Sequence, residues 1–247
     1  MPSLRDPKLT LRWAKEHLDI LDKRISQFEK TYKLKVSAEE DTQEQFYVVR
    51  AQLAFPEQES FDIACTCGDF IFRLRASLDH LAWQLALFSG SMPGRDICFP
   101  ICEKNSIDTQ IKIAKTTFGI PDEAIAVMKS FQPYHAGDLY KTHSLWRLNK
   151  LWNIDKHRHL PGHGGASEPF LHVAAPDFQI KEEWFDGEDI VRIPLALKDK
   201  VTFKPDTPIR FLFMDAAEGW ELSIDDMSAM YQFVADTVFP AFARFFK

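Results

Sequence analysis

The sequence predicts an α+β protein: a helical core with two packed motif helices, an N-terminal β-hairpin, a C-terminal antiparallel sheet and a closing helix. Apolar residues recur every three or four positions in residues 67–90 and 138–158, as amphipathic helices require. After residue 160 the chain changes to short alternating segments that are typical of strands. Because these strands follow one another without helices between them, we expect them to pair antiparallel. The prediction is a single α+β domain over residues 1–247, with the helical core at about 58–160 and the C-terminal sheet and helix at about 168–247.

Composition excludes several classes of protein. The chain has 247 residues, of which 45% are apolar, with 21 Phe and 6 Trp, so it can bury one large core or two small ones and is not disordered. Its formal net charge of −6 argues against indiscriminate binding to nucleic acid or to an anionic membrane. The N-terminus lacks the apolar stretch of a signal peptide, and no apolar run approaches the roughly 18 residues of a membrane span. We therefore expect a cytoplasmic protein without a membrane partner.

A long helix and a hairpin are predicted before the central helix. The first helix is favoured by regular apolar spacing and by Asp6 before Pro7, a suitable start for a helix. The hairpin has two alternating strands, joined by an acidic connection that is longer than a tight turn. The predicted helix, the two strands and the connection are residues 6–30, 32–36, 46–55 and 39–44. Beyond the central helix, two shorter helices are predicted at 107–118 and 121–131.

The C-terminal part of the chain is predicted to contain four strands and a last helix. Residues 160–165 (LPGHGG) are expected to form a flexible loop, and Asp186-Gly187 favours a hairpin turn. The closing helix, 223–246, begins with Ser223, and Asp226 three residues on suits a capping box. The strands are expected at 170–174, 178–184, 190–195 and 209–213.

The central helix, residues 67–90, carries the most suggestive polar residues. At about 100° per residue, Arg73 and His80 fall on one polar stripe. Arg75 and Asp79 lie four residues apart on the other flank and can pair. The apolar stripe that faces the core is predicted to contain Leu74, Leu78, Leu81, Leu85 and Phe88.

The second motif helix, residues 138–158, places Asp155 beside Leu151 and Trp152 on its apolar face. A carboxylate there is costly unless it is paired. We therefore expect the two motif helices to pack together and Asp155 to meet a basic group of the central helix: His80, Arg73 or Arg75. Alternatively, Asp155 lies at a frayed helix end and reaches water.

The end of this second helix is locally basic. Asn153, Lys156, His157 and Arg158 are candidate substrate-binding residues, because such a group could hold a phosphate of a nucleic acid or nucleotide. The alternative is a solvated cationic helix end that the helix dipole favours.

Cysteine and histidine spacing gives a weaker signal for metal binding. The four cysteines occur as CTC and CFPIC, unlike the two-residue knuckles of zinc sites, so we expect reduced thiols and no metal. His157, His159 and His163 could hold a metal with a further ligand, which would suit a metal-dependent hydrolase. Loop histidines without a neighbouring acidic or thiol ligand more often bind nothing. No cofactor is expected.

Several motifs in the middle of the chain occur in a recognisable order. They are GDFIFRLRASLDHLAWQLA, FP, QPY and LNKLWNIDKHRHL. Together they resemble a large, functionally uncharacterised bacterial family with the pattern GD…NLR…LDHLA, FPI, QPY and N.DKHR. Arg73 stands where that family usually has Asn. The family carries no known activity.

Arg75-x4-His80 also resembles the Arg-x4–6-His signature of the HEPN superfamily, whose members include ribonucleases of toxin and defence systems. The resemblance implies a metal-independent endoribonuclease acting on RNA, with Arg75 and His80 as catalytic residues. It also implies a homodimer in which these residues of two protomers cluster, and it allows an antitoxin-type partner. On a straight helix Arg75 and His80 lie roughly 140° apart, whereas Arg73 and His80 lie within about 20°. Helix geometry thus favours Arg73, while the family pattern favours Arg75.

Three hypotheses for the function follow. The first is the HEPN-like ribonuclease, with His80, Arg75, Arg73 and Asp155 as the catalytic group, since His suits proton transfer and Arg suits a charged phosphorane. The second is a non-catalytic binding or scaffold protein, in which these residues form a buried network. The third is the metal-dependent hydrolase.

Overall fold

A computed structural model describes residues 1–53, 55–103, 108–116, 118–157, 162–167, 169, 171–175, 183–185, 188–215 and 220–246. The chain forms two compact units that interleave along the sequence. The helical unit consists of Met1–Asp22, Ala64–Leu160 and Leu222–Lys247. The sheet unit consists of Lys23–Ile63 and Pro161–Glu221. The α+β class is confirmed, and none of the described helices combines the length and apolarity needed to cross a bilayer.

The described part of the chain contains the predicted long helices, with shifted ends. The helices are α1 (Arg5–Thr31), α2 (Glu57–Phe88), α3 (Asp108–Thr116), α4 (Asp122–Ser130), α5 (Ser144–Asp155), α6 (Ile224–Gln232) and α7 (Phe239–Phe242). The central helix α2 begins ten residues before the predicted start at Cys67, because buried Ile63 and Ala64 extend its apolar face. Leu74, Leu78, Leu81 and Leu85 are fully buried, as predicted, whereas Phe88 is 48% exposed at the last turn.

The second motif helix is shorter than predicted. Pro133–Thr142 is a 3₁₀ segment with a kink at Gly137, whose φ of 57° is available to glycine without strain. The His143 side chain then accepts a hydrogen bond from the Leu145 backbone N–H, 3.2 Å away. This cap starts α5 at Ser144, so the predicted helix over 138–143 is wrong.

The closing helix starts as predicted but is not uniform. Ser223 and Asp226 form the reciprocal capping box. After α6 the chain continues through a π-helical segment, Phe233–Val238, into α7 and a 3₁₀ turn at Ala243–Phe246. Such π segments are uncommon and often occur at functional sites.

The sheet unit contains a large antiparallel sheet with the strand order β3-β8-β1-β2-β6-β5, and β9 also pairs with β8. A second, small sheet pairs β4 with β7. The N-terminal hairpin lies in the middle of the large sheet, because β1 also pairs with β8 and β2 also pairs with β6. The strands are β1 (Lys33–Asp41), β2 (Phe46–Gln52), β3 (Gly162–Ala166), β4 (Leu171–Val173), β5 (Glu183–Phe185), β6 (Glu188–Pro194), β7 (Val201–Phe203), β8 (Asp206–Asp215) and β9 (Trp220–Leu222).

Two details of the sheet differ from the sequence prediction. The acidic residues Glu39–Asp41 continue β1 opposite β2, so the hairpin loop is only residues 42–45. Gly162–Ala166, of which residues 162–165 are predicted to lie in a loop, pairs antiparallel with β8 instead. The predicted turn at Asp186-Gly187 and residues 178–182 of a predicted strand lie outside the described residues.

Aromatic rings form the core of the sheet unit. Phe28 and Phe211 are fully buried and meet edge to face at 5.1 Å between ring centroids, and Phe213 packs on Phe211 at 5.3 Å. Glu29 accepts a hydrogen bond from the Phe211 backbone N–H at 2.9 Å. The end of α1 is thereby fixed to β8.

Candidate functional site

Arg75 and Asp79 of α2 hold a single residue of the following chain by both of its backbone polar groups. Arg75 Nη2 donates to the Phe99 carbonyl oxygen at 2.8 Å, and the Phe99 N–H donates to Asp79 Oδ1 at 2.8 Å. Arg75 Nη1 lies 3.0 Å from the same Asp79 oxygen, and the Arg75 side chain is buried. The predicted Arg75–Asp79 ion pair is therefore present, and it acts as a clamp on the backbone.

Gln132, from the QPY motif, satisfies the next backbone groups of this extended segment. Its side chain is fully buried; it accepts from the Cys102 N–H at 2.9 Å and donates to the Pro100 carbonyl at 3.0 Å. It also donates to the Met128 carbonyl at 2.9 Å, which ties the segment to the end of α4. Side chains thus provide the hydrogen-bond partners that other backbone groups would supply in a helix or a sheet. Residues of the motifs LRASLDH, FP and QPY, which are far apart in sequence, therefore meet at this segment.

Helix α5 packs against α2, as predicted. Two cations lie over the Trp152 ring, with Arg75 Cζ at 5.2 Å and Lys156 Nζ at 3.2 Å from its centroid. Asp155 approaches the backbone of Gly68 so closely that an added Cβ there would stand 2.6 Å from Asp155 Oδ1. Gly68 is therefore needed for this contact.

Asp155 thus lies against the N-terminal half of α2. Burial raises the pKa of the Cys67 thiol well above its usual value, and the charge of nearby Asp155 adds to this effect. Gly68 and Arg75 are seven residues apart, or about 10 Å along the helix axis. The pairing of Asp155 with His80, Arg73 or Arg75 stays a prediction.

His80 is exposed, and Thr10 of α1 fixes its ring. Thr10 Oγ1 lies 3.0 Å from His80 Nδ1 and donates its hydrogen bond to the Asp6 carbonyl at 3.1 Å. A hydroxyl has one hydrogen, so towards His80 it can only accept. With this arrangement of hydrogens, we infer that neutral His80 carries its proton on Nδ1 and its lone pair on Nε2.

A cleft of about 400 Å³ opens beside His80 in the helical unit. Its walls combine the imidazole with the Arg95 guanidinium, the Trp83 indole and the Gln84 amide. Gln84 is itself held, because its Oε1 accepts from the Ser3 N–H at 2.8 Å. The remaining lining residues are Asp6, Asp79 and Ile97. Such a set can bind a small polar ligand that carries a phosphate and a flat ring.

Asp79 connects the clamp with the cleft. Burial raises the pKa of its carboxyl group, and the charges of Arg75, His80 and Lys156, with the hydrogen bond from the Phe99 N–H, oppose the rise. The charges of His80 and Lys156 therefore act on the same carboxylate. The basic end of α5 is within electrostatic reach of the cleft.

The other predicted site residues occupy exposed positions or lie outside the described chain. Arg73 is exposed, with its Cζ 5.7 Å from the Phe72 ring centroid. Asn153, Lys156 and His157 are exposed at the end of α5, and Arg158 lies outside the described residues.

Neither Thr10 nor Arg95 is among the residues that sequence patterns predict for the site. Thr10 precedes His80 by 70 residues in sequence. Arg95 lies in a loop between helices, and only the folded chain brings these residues to the cleft.

The cysteines are free, and part of the histidine cluster lies outside the described residues. Cys65 and Cys98 are exposed, whereas Cys67 and Cys102 are buried, and none forms a disulfide. His159 and the side chain of His163 lie outside the described residues. Among the described side chains, no group of three His, Cys, Asp or Glu residues is arranged to hold a metal ion.

Comparison with known proteins gives no match: no family model, no curated protein and no solved structure resembles this chain significantly.

Proposed function

We propose that the protein is a metal-independent ribonuclease whose reaction takes place at the His80 cleft. The observation that carries the proposal is the Thr10–His80 contact, which leaves the lone pair of Nε2 free for proton transfer on an exposed ring beside Arg95. His80 acts as the general base, and Arg95 supplies the cation.

The reaction needs no group beyond the RNA and these side chains. Nε2 of His80 takes the proton of a 2′-hydroxyl, and the oxygen attacks the adjacent phosphorus. The P–O5′ bond breaks and the leaving 5′-oxygen takes the proton back from Nε2 of the His80 imidazolium, so the products end in a 2′,3′-cyclic phosphate and a 5′-hydroxyl and His80 returns to its neutral form. Arg95 stabilises the charge on the phosphorane. Trp83, 36% exposed, offers a face on which a base can stack.

In this proposal Arg75 is a positioning residue. It is only 3% exposed, and its guanidinium holds Phe99 and Asp79, so a phosphate cannot reach it in the monomer. Exposed Asn153, Lys156 and His157 are the proposed contacts to the RNA backbone. A homodimer that brings Arg73 of a second copy near His80 is compatible with the exposure of both side chains.

The test is cleavage of a single-stranded RNA in EDTA, with the DNA of the same sequence as a control. Wild type should cut only the RNA and leave 2′,3′-cyclic phosphate ends. His80→Ala should lower the rate by roughly 10²–10⁴-fold, the usual worth of a general base. Arg95→Gln should lower it to a similar extent, while Arg5→Gln, an exposed arginine outside the cleft, should not. Intact RNA with the wild type would overturn the proposal.

The second candidate function is a non-catalytic binding or scaffold protein, and the Arg75–Asp79 clamp favours it. A buried ion pair that grips the Phe99 backbone is a structural device, since it orders a loop without using the exposed surface. This hypothesis expects no RNA cleavage. It also expects Arg75→Ala, and not His80→Ala, to lower the melting temperature strongly.

A further inference from the structure

A second groove lies between α1 and the closing helix of the helical unit, away from the residues assigned to the His80 cleft. It has a volume of about 480 Å³, within the range of small-molecule sites. We call it the α1–α7 groove. Its lining includes the buried side chains of Leu11 and Phe239 and the small side chains of Ala235 and Ala243.

One wall of the α1–α7 groove is basic. Lys8, Arg12 and Lys15 occupy positions i, i+4 and i+7 of α1, so they form one row about 10 Å long. Lys15 pairs with Asp19. The side chains of Lys8 and Arg12 form no ion pair within the described part of the chain, although the chain as a whole carries a net charge of −6.

The opposite wall contains the π-helical segment. Ala235 belongs to Phe233–Val238, where the helix widens, and Pro240 follows in α7. Tyr231 lies at the Lys15 end; burial raises the pKa of its phenol, and the Lys15 charge opposes the rise. The groove therefore offers an apolar surface with small side chains and, along one edge, the two cations Lys8 and Arg12.

We propose that the α1–α7 groove binds a free amphiphile with one alkyl chain and an anionic head, of the alkyl carboxylate class. The head lies between Lys8 and Arg12, which supply charge-assisted hydrogen bonds. The alkyl chain covers Leu11, Ala235 and Phe239. Charge complementarity selects the anion, and the small volume selects a single molecule over a protein segment or a membrane surface.

The experiment is isothermal titration calorimetry of the full chain with sodium decanoate, kept below the concentration at which it forms micelles. We expect one site per chain. The Lys8→Gln/Arg12→Gln double variant should weaken the affinity by about tenfold or more, and decanol should bind similarly weakly to the wild type. Arg5→Gln, which changes a cation of α1 outside the groove, is the control and should bind like the wild type.

A filling variant tests the location of the alkyl chain. Ala235→Leu keeps the charge of the groove and takes up its space, so it should weaken binding at least as much as the double charge variant does. If Ala235→Leu fails to fold, the charge variants decide alone. The proposal is overturned by equal affinity of the double variant, by binding only to phosphatidylglycerol vesicles, or by no heat of binding at about 1 mM decanoate. None of these results depends on RNA cleavage.

Discussion

Thr10 Oγ1 lies 3.0 Å from His80 Nδ1 and gives its own hydrogen to the Asp6 carbonyl. The contact joins α1 to α2, and a hydroxyl that only accepts here selects Nε2 as the basic nitrogen of the imidazole. The contact therefore links the packing of α1 on α2 to the proton transfer proposed for His80.

The first prediction concerns this contact. In the wild type, neutral His80 should be protonated at Nδ1, which ¹⁵N NMR of the ring nitrogens reports directly. Thr10→Val removes the acceptor and should produce a mixture of tautomers, whereas Thr10→Ser keeps the hydroxyl and should preserve the wild-type signals. A wild-type His80 protonated at Nε2 would contradict the assignment, whether or not RNA is cut.

The second prediction concerns the clamp on Phe99. Arg75→Ala leaves a carboxylate and a backbone carbonyl without their partner, so it should lower the free energy of unfolding by about 3 kcal/mol or more. Asp79→Asn keeps an acceptor for the Phe99 N–H and should cost less. Arg73→Ala changes an exposed side chain two residues away and should stay within about 0.5 kcal/mol of the wild type. Urea unfolding of the three variants gives these values; equal costs for Arg75→Ala and Arg73→Ala would refute the clamp.

The third prediction concerns the approach of α5 to α2 at Gly68. Alanine is favoured over glycine in a helix by about 1 kcal/mol, but its Cβ would stand 2.6 Å from Asp155 Oδ1. Gly68→Ala should therefore destabilise the wild type, and it should stabilise an Asp155→Ala background, where the clash is gone. The double-mutant cycle should give a coupling energy of about 1 kcal/mol or more. Additive effects would mean that the two residues do not touch.

The fourth prediction is a pH dependence at Asp226. Burial raises the pKa of this carboxyl, but the hydrogen bonds from Ser223 and the ion pair with Arg147 outweigh burial and lower it below the usual 3.8. A carboxyl with a lowered folded pKa stabilises the protein above the unfolded value and loses that contribution as the pH falls through the folded one.

Asp226→Asn should therefore cost about 1 kcal/mol at pH 7, a modest value because the pair is partly exposed to solvent. The difference from the wild type should shrink as the pH falls below about 3.8. Thermal melts between pH 2 and pH 7 measure it. Asp225→Asn, at an exposed neighbouring position of the same helix turn, is the control, and a difference that stays constant with pH would contradict the assignment.

Periodicity and local chemistry determined much of the fold from the sequence alone. The apolar spacing in α1 and α2 needs no tertiary information, because a helix places residues three and four apart on one face. The capping box of Ser223 and Asp226 and the pairing of β1 with β2 are likewise local. The possible ion pair between Arg75 and Asp79 followed from their spacing on α2.

Tertiary structure decided what those elements do. Gly162–Ala166 has little strand propensity, and only its pairing with β8 makes it a strand. The N-terminal hairpin joins the C-terminal strands through contacts that no local sequence pattern encodes. The position of Arg95 beside His80 depends on loop closure. The sequence determined which residues share a helix face. Contacts between residues far apart in the chain determined that Arg75 is buried in a clamp and that His80 faces a cleft. Burial and hydrogen bonding depend on the partner that folding brings to each side chain.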